Sequence, residues 1–386
     1  MSDPLLSAES LMGEARKSTG IELYDNSVVE PLSILLHSLN TESNLHDTGR
    51  QGMHDKLVRI LCVRLRMQRD FAGHPEIHDE IISAPIFICG MSRTGSTKTQ
   101  KLMAASGDFN WLPYWQVIQS ALISGDRAES PQARIDETEA FVRWFDEASP
   151  DTKFGHPMAT HEPEEESFIL EQSLKSPVLM GWAPMPSYLG WLMTQDMSAQ
   201  FLHLRDTLKY LQWQGLASSD RPWLLKSPLY SGMEPLLLNA FPDARLIMTH
   251  RSPVETIPSG LRLLECFYKP FTDSSPDPLG YVSGQVFAIN LHLDLRPTLD
   301  LLDINFRDVI GNPAHLANRI WDWLGMPLSP QSLARMEKWD ARNPQNKTGK
   351  HVYACTDYGL TREGLTKTFE RYTQFLDATF ERSERA

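Results

Sequence analysis

Pro85-Ile-Phe-Ile-Cys-Gly-Met-Ser-Arg-Thr-Gly-Ser-Thr97 is the stretch whose reading decides the fold. Its first five residues are almost unbroken apolar chain, the pattern of a short strand buried on both faces within a parallel sheet. Gly90 and Gly95 then flank four residues, and a helix is expected from there to about Ser106. A strand, a glycine-bounded loop and a helix N-terminus together can wrap an anion with backbone N–H groups while the helix dipole adds to the attraction. The nucleoside triphosphatase pattern, G-x-x-x-x-G-K followed by Ser or Thr, requires Lys at position 96. This chain has Ser96 and Thr97, Lys98 comes two places late, and the first basic group inside the loop is Arg93. The missing lysine serves a β/γ-phosphate with bound Mg²⁺, so the loop suits an anion that needs neither a γ-phosphate site nor a metal.

Upstream of this unit, residues 29–39 and 53–67 place Leu, Ile and Val at three- and four-residue intervals, which predicts helices and an N-terminal helical subdomain over 1–80. Downstream, 223–225 reads as a short strand reaching Lys226 at its carboxyl end. Residues 241–244 form a turn, 245–249 a strand, and 254–266 a helix entered through Pro253. A fourth apolar run, 301–306, precedes an amphipathic helix over 313–324, and 197–217 has helical spacing. Strands alternating with helices imply an α/β domain over 81–386, a P-loop-type, mostly parallel sheet flanked by helices, with a helical insertion at about 110–220. Ligands belong at the carboxyl ends of such strands. Residues 270–278, rich in Pro, Ser and Asp, are the best flexible-loop candidate and read as a surface loop before an active-site lid.

Composition narrows the function. Across 386 residues, 37 Lys and Arg against 49 Asp and Glu leave a net charge of −12, which lacks the basic footprint of a nucleic-acid binder. The four cysteines (Cys62, Cys89, Cys266, Cys355) include no C-x-x-C pair, which argues for a reducing compartment. The N-terminus has no basic segment followed by an apolar one, so a cytoplasmic enzyme is expected. Residues 176–195 carry no charge over about the length of a spanning helix. Pro177, Pro184, Pro186, Gly181 and Gly190 would interrupt such a helix, so Met180, Trp182, Met185, Trp191 and Met193 read as core or pocket wall and no membrane span is expected. The twelve histidines form no H-x3-H or H-E-x-x-H ligand pair with a third partner nearby, so no metal site is expected, and His156 and His161, five residues apart and so not on one helical face, read as satisfied or solvated.

The second motif is specific. Arg251 follows the strand 245–249, and Ser259 stands eight residues later in the next helix. This pair, with the Arg93 loop, resembles the sulfotransferase family that uses 3′-phosphoadenosine 5′-phosphosulfate (PAPS), in its bacterial and fungal-type branch. Similar blocks recur along nearly the whole chain: His161-Glu-Pro-Glu-Glu-Glu166, Trp223-Leu-Leu-Lys-Ser-Pro228, Phe241-Pro-Asp-Ala-Arg-Leu246, Thr249 to Ser259, Asn305-Phe-Arg-Asp308 and Asp357-Tyr-Gly-Leu-Thr361. The resemblance implies that Arg93, Thr94, Gly95, Ser96 and Thr97 hold the 5′-phosphosulfate and that Arg251 and Ser259 hold the 3′-phosphate. It implies that Lys226 stabilises the leaving group, and that Lys350, within the basic segment Asn346 to His351, closes over the nucleotide.

The resemblance breaks at the expected base. Relatives commonly read Lys-Ser-Pro-His-His where this chain reads Lys226-Ser-Pro-Leu-Tyr230, so Leu229 occupies the usual histidine position and cannot accept a proton. Tyr230, with an unperturbed pKa near 10, is a poor base at neutral pH. Glu165 is the expected substitute, with His161 and Glu164 behind it; the run Pro163-Glu-Glu-Glu166 is also what an ordinary helix start looks like. The implied activity is sulfuryl transfer from PAPS to a hydroxyl of an apolar small molecule, with a homodimer left open. The competing readings are a PAP-binding protein without transfer, a sulfation-dependent dehydratase, and a kinase or other P-loop enzyme. The last is disfavoured by Ser96 at the lysine position.

Overall fold

Four strands form one parallel sheet in the order β2-β1-β3-β4: β1 is Ile86–Gly90, β2 Leu224–Lys226, β3 Arg245–His250 and β4 Leu301–Asn305. The computed structural model describes residues 6–22, 26–344 and 353–381. Every residue of β1 and β2 is buried, which is why these strands are apolar runs and not alternating ones. The registers Ile88↔Lys226, Gly90↔Thr249 and His250↔Asn305 bring the carboxyl ends of all four strands to one edge of the sheet. The loop 90–97, Lys226, Arg251 and Asn305 leave from that edge.

The chain divides into two compact units. One comprises Met1–Ile81, Leu112–Ser219 and Leu264–Pro276; the other comprises Ile82–Trp111, Asp220–Leu263 and Asp277–Ala386 and carries the sheet. The N-terminal helices thus cluster with the stretch 112–219 in a single unit.

In the sheet unit, Ile86, Ile88, Leu224, Ile247 and Ile304 pack with Leu102 and Met103 of the helix Ser96–Ala105 and with Leu316, Ile320 and Trp321 of the helix Pro313–Leu324. Full burial of each such side chain contributes about 1.5–3 kcal/mol. Asn312 caps the latter helix from outside, and Gly325 ends it in the left-handed conformation, so its limits match the sequence expectation.

The other unit is helical. Leu32, Leu35, Leu36 and Leu39 are the buried stripe of Val29–Thr41, and Met53, Leu57, Ile60, Leu61 and Leu65 that of Asp47–Gly73. Around Trp182 the rings of Phe145, Phe168, Phe267 and Phe271 pack with centroids 5.3–5.9 Å away. The uncharged stretch 176–195 is broken as its prolines dictate, into Pro177–Gly181 and Pro186–Leu192. Trp182 and Met185 are buried in it, whereas Met193 is 63% exposed. Among the described residues no helix is long and apolar enough to cross a membrane.

Several elements escaped the sequence reading. Pro278–Leu295, Gln132–Ala148, Pro330–Arg342 and the C-terminal pair Arg362–Thr368 and Glu370–Leu376 are all helical. The expected surface loop 270–278 needs correcting: Phe271 is fully buried, the Thr272 hydroxyl donates to the Asn44 carbonyl at 3.1 Å, and Pro278 already begins a helix. Its polar composition hid one aromatic anchor.

Candidate active site

The loop after β1 is shaped by two close approaches. Gly90 has φ +135°, and a Cβ there would lie 2.5 Å from the Thr249 carbonyl oxygen on the neighbouring strand. Gly95 has φ +95°, and a Cβ there would lie only 3.1 Å from side-chain atoms of Phe306 and Val309. Only glycine meets both demands without strain. Gly95 is the N-cap of the helix Ser96–Ala105, and no side chain caps that end, so the cradle for an anion is a backbone one. Arg93 itself sits at φ +72°, an uncommon conformation for a side-chain-bearing residue, at the tip of this loop.

Two motifs far apart in sequence meet here. Arg93 Nε donates to Ser259 Oγ at 3.1 Å, and Arg251 Nη1 donates to the Arg93 carbonyl at 3.3 Å. The Arg251 guanidinium lies 4.0 Å from the Phe306 ring centroid, and its Nε donates to Glu255 Oε2 at 2.7 Å. Phe306 therefore backs both the glycine loop and the second arginine. Asn305 and Asp308 complete a capping box that starts the helix carrying Phe306, which gives the block Asn305 to Asp308 its physical content.

The remaining expected donor-site residues have distinct settings. Thr94 is fully buried; its hydroxyl donates to the Met91 carbonyl at 2.7 Å and meets Thr249 Oγ1 at 2.7 Å, so it gives the loop its shape. Ser96 is buried and Thr97 half-buried on the first helical turn. Lys98 is turned to Asp340, with Nζ 2.7 Å from Oδ1. Lys226, buried, ends β2 beside Ile88 of β1. Lys350 lies outside the described residues. Tyr281 was missed: its hydroxyl bonds to Ser92, and desolvation pushes it up to about 12 against the pull of that bond and of Arg93. No sequence pattern links it to the loop; in the structure Gly260 makes room for it, since a Cβ there would lie 2.1 Å from the Tyr281 hydroxyl.

Leu229 is half-buried, and Tyr230 is fully buried, edge-on to Phe87 with centroids 5.8 Å apart. The acidic motif belongs to the other unit. There His156 Nε2 lies 3.0 Å from Glu164 Oε1, and His156 Nδ1 lies 3.9 Å from Glu165 Oε1. The Glu165 amide donates to Glu164 Oε1 at 2.8 Å, and the Ser167 hydroxyl donates to Glu165 Oε2 at 3.2 Å. Glu164 is buried and Glu165 half-buried. His161 is not part of this cluster: it is exposed, with Nε2 3.8 Å from Glu139 Oε1. His156 was passed over because its five-residue spacing to His161 fits no shared helical face; it follows the helix Thr152–Gly155 and finds its partners in the carboxylates instead. His156, Glu164 and Glu165 offer donor atoms within 4.8 Å of one another, the set among the described residues that has the donors for a metal ion.

Residues 85–330 match the family model described as the sulfotransferase family. The chain is 23% identical over 316 residues, 76% of each chain, to the omega-hydroxy-beta-dihydromenaquinone-9 sulfotransferase Stf3 of Mycobacterium bovis and equally to that of Mycobacterium tuberculosis. Among solved structures it is similar to the sulfotransferase STF9 of Mycobacterium avium, with TM-score 0.83 and 26% identity over 98% of both chains. It is also similar to STF1 of Mycobacterium tuberculosis, with TM-score 0.78 and 25% identity over 95% of this chain and 98% of that one. The chain belongs to the sulfotransferase family, and its sheet and loop are the P-loop-type α/β fold of those enzymes.

Proposed function

We propose that this sulfotransferase moves a sulfuryl group from PAPS to a hydroxyl of an apolar small molecule. The observation that carries the reading is the convergence of Arg93, Ser259 and Arg251 at the carboxyl ends of β1 and β3, two cationic groups joined through a backbone cradle that needs glycine twice. The residues fit a nucleotide bearing a 5′-phosphosulfate and a 3′-phosphate. Arg93 and the backbone of Thr94, Gly95, Ser96 and Thr97 would hold the former, Arg251 and Ser259 the latter. When bound, PAPS supplies an activated sulfuryl group on a phosphate leaving group.

The chain's own residues then have three tasks. Lys226 neutralises charge developing on the departing phosphate, which is the largest kind of contribution a preorganised site makes. Glu165 takes the acceptor's proton, since Leu229 has no basic atom and the Tyr230 hydroxyl is buried. His161 is the second choice for that role, and Lys350 remains the choice for closing over the nucleotide. An apolar acceptor is supported by the relative that acts on an omega-hydroxy-beta-dihydromenaquinone. Four free, buried cysteines fit a reducing, cytoplasmic setting.

The test is a donor-dependent assay on a panel of long-chain alcohols with PAPS, read by mass, with Lys226→Ala as control. Transfer adds about 80 Da to the acceptor, in line with a site that stabilises the sulfate-bearing leaving group. A bound 3′,5′-adenosine bisphosphate (PAP) with no mass change on any acceptor supports the binding-only reading that Leu229 suggests. Loss of about 18 Da would mean that sulfation activates elimination.

A further inference from the structure

The C-terminal helix Glu370–Leu376 reaches into the second arginine's backbone through a buried polar chain. His250, the last residue of β3, is completely buried, with Nδ1 2.9 Å from the Tyr372 hydroxyl and Nε2 2.8 Å from Asp303 Oδ1. Arg296 grips the same carboxylate with both arms, Nη1 to Oδ1 at 2.8 Å and Nη2 to Oδ2. The Tyr372 oxygen in turn accepts from the backbone amide of Arg251.

Donor and acceptor chemistry gives every link one direction. A guanidinium only donates, so Asp303 accepts as a carboxylate. Burial pushes its carboxyl up, but hydrogen bonds from His250 and Arg296, with the Arg296 charge, outweigh this and leave it below the ordinary value. Burial holds His250 below its usual value despite Asp303, so the ring is neutral, carries its proton on Nε2 and leaves Nδ1 bare to accept from Tyr372. The Tyr372 hydroxyl is pushed well up by burial and stays protonated. The order is therefore Arg251 N–H to Tyr372, Tyr372 O–H to His250, His250 N–H to Asp303, with Arg296 closing the end. Phe375 and Phe380, with centroids 5.4 and 5.5 Å from the His250 ring, seal the chain from water. A satisfied buried network of this kind holds its members in one geometry.

We infer that Tyr372, through His250 and Asp303, is a positioning residue for the 3′-phosphate: it fixes the backbone of Arg251, so the C-terminal helix is part of the donor-nucleotide site. This rests on the reading of Arg251 proposed above. A residue acting through Arg251 alters recognition of the 3′-phosphate more than that of the rest of the nucleotide. A residue that merely supports the fold has no such selectivity.

The experiment is calorimetric titration of the full chain with PAP and, by displacement, with 5′-AMP, which lacks the 3′-phosphate. Wild type is expected to prefer PAP, and Arg251→Ala to lose that preference. Tyr372→Phe is expected to weaken PAP by roughly 3- to 10-fold, the worth of one buried hydrogen bond, while leaving 5′-AMP within about twofold. Adding Tyr372→Phe to Arg251→Ala is expected to cost PAP nothing more. Asp303→Asn, which breaks the same chain from its other end, moves the PAP to 5′-AMP ratio in the same direction and decides the matter if Tyr372→Phe does not fold. An unchanged ratio in the variants, or equal losses for both nucleotides, overturns the inference while Arg251→Ala still behaves as expected. A wild type without preference for PAP, unaffected by Arg251→Ala, overturns the nucleotide reading itself.

Discussion

The loop 90–97 and the cluster of His156, Glu164 and Glu165 both gather polar chemistry, but they are built by different physics. The loop is held by what is absent: two side chains at Gly90 and Gly95 that would collide with Thr249 and Phe306. The cluster is held by what is present, a histidine set between two carboxyl groups, with Ser167 and a backbone amide as further partners. A backbone cradle tolerates many side chains but few glycine replacements. A side-chain cluster tolerates its backbone and depends on each functional group. The same contrast separates binding from proton transfer in the proposed function, and substitutions in each region sharpen or break it.

Glu165→Gln should have the largest effect. It keeps shape and hydrogen-bonding reach but removes the base, so the transfer rate is expected to fall about 10²- to 10⁴-fold, with PAP affinity unchanged by calorimetry. A matching fall in affinity would mean that the two regions are not separable as described. Next is Gly90→Ala, where the added Cβ meets the Thr249 backbone oxygen at 2.5 Å in a conformation that alanine resists. Urea unfolding is expected to show a loss of about 3 kcal/mol or more, together with loss of PAP binding.

A smaller effect is expected at the buried ion pair of the helical unit. Lys56 bonds to Glu171, which also accepts from Trp182 Nε1, and the Lys56 ammonium lies 4.0 Å from the Trp182 ring centroid. Burial, only partly offset by Glu171, pushes Lys56 down to about 8. The unfolded chain keeps an ordinary lysine near 10.4 and so binds more protons between these values, which makes this group's contribution to stability rise with pH from about 8 toward 10. Wild type minus Lys56→Met, compared by urea unfolding at pH 7.5 and 9.5, should show that rise, and a flat difference would mean that Lys56 keeps its proton when folded. The smallest effect belongs to Gly190→Ala, in the helix Pro186–Leu192, where nothing stands within 4 Å of the added Cβ. Melting should show a gain of about 0.5–1 kcal/mol, the opposite sign to Gly90→Ala and a direct check that glycine matters in the loop for contact and φ.

Much of the candidate site's framework was legible because it is local. A strand, a glycine pair and a helix start lie within thirteen consecutive residues, and Arg251 and Ser259 lie on one strand-to-helix turn, so period places them at the ends of strands without any partner in view, and the family resemblance adds the role expected of them. The strands were found within a residue or so because strands buried on both faces read as continuous apolar runs. The C-terminal helices were not, since Arg362–Thr368 and Glu370–Leu376 are short, mostly polar, and bury little beyond Leu365 and Tyr372. His156 was missed because its meaning lies in the carboxylates it meets after a chain turn, and the 270–278 segment was misread because one buried Phe carries no periodic signal.

The chain's own sequence accounts for the strand-loop-helix unit, the parallel sheet and the exchange of the phosphate lysine for Ser96, because each follows from neighbours on the chain obeying backbone geometry, whereas the residues expected to hold a bisphosphate nucleotide came from the resemblance to a family. Tertiary structure alone decided that Arg93 bonds to Ser259, that Lys98 turns to Asp340, that Glu165 sits beside His156 while His161 faces solvent, and that Tyr372 is tied to Arg251. Those are pairings between residues as much as 242 positions apart, the separation of Lys98 from Asp340 (340 − 98). They depend on which faces the packed helices and strands turn toward one another, and a one-dimensional pattern of apolar and polar residues constrains that face without naming the partner.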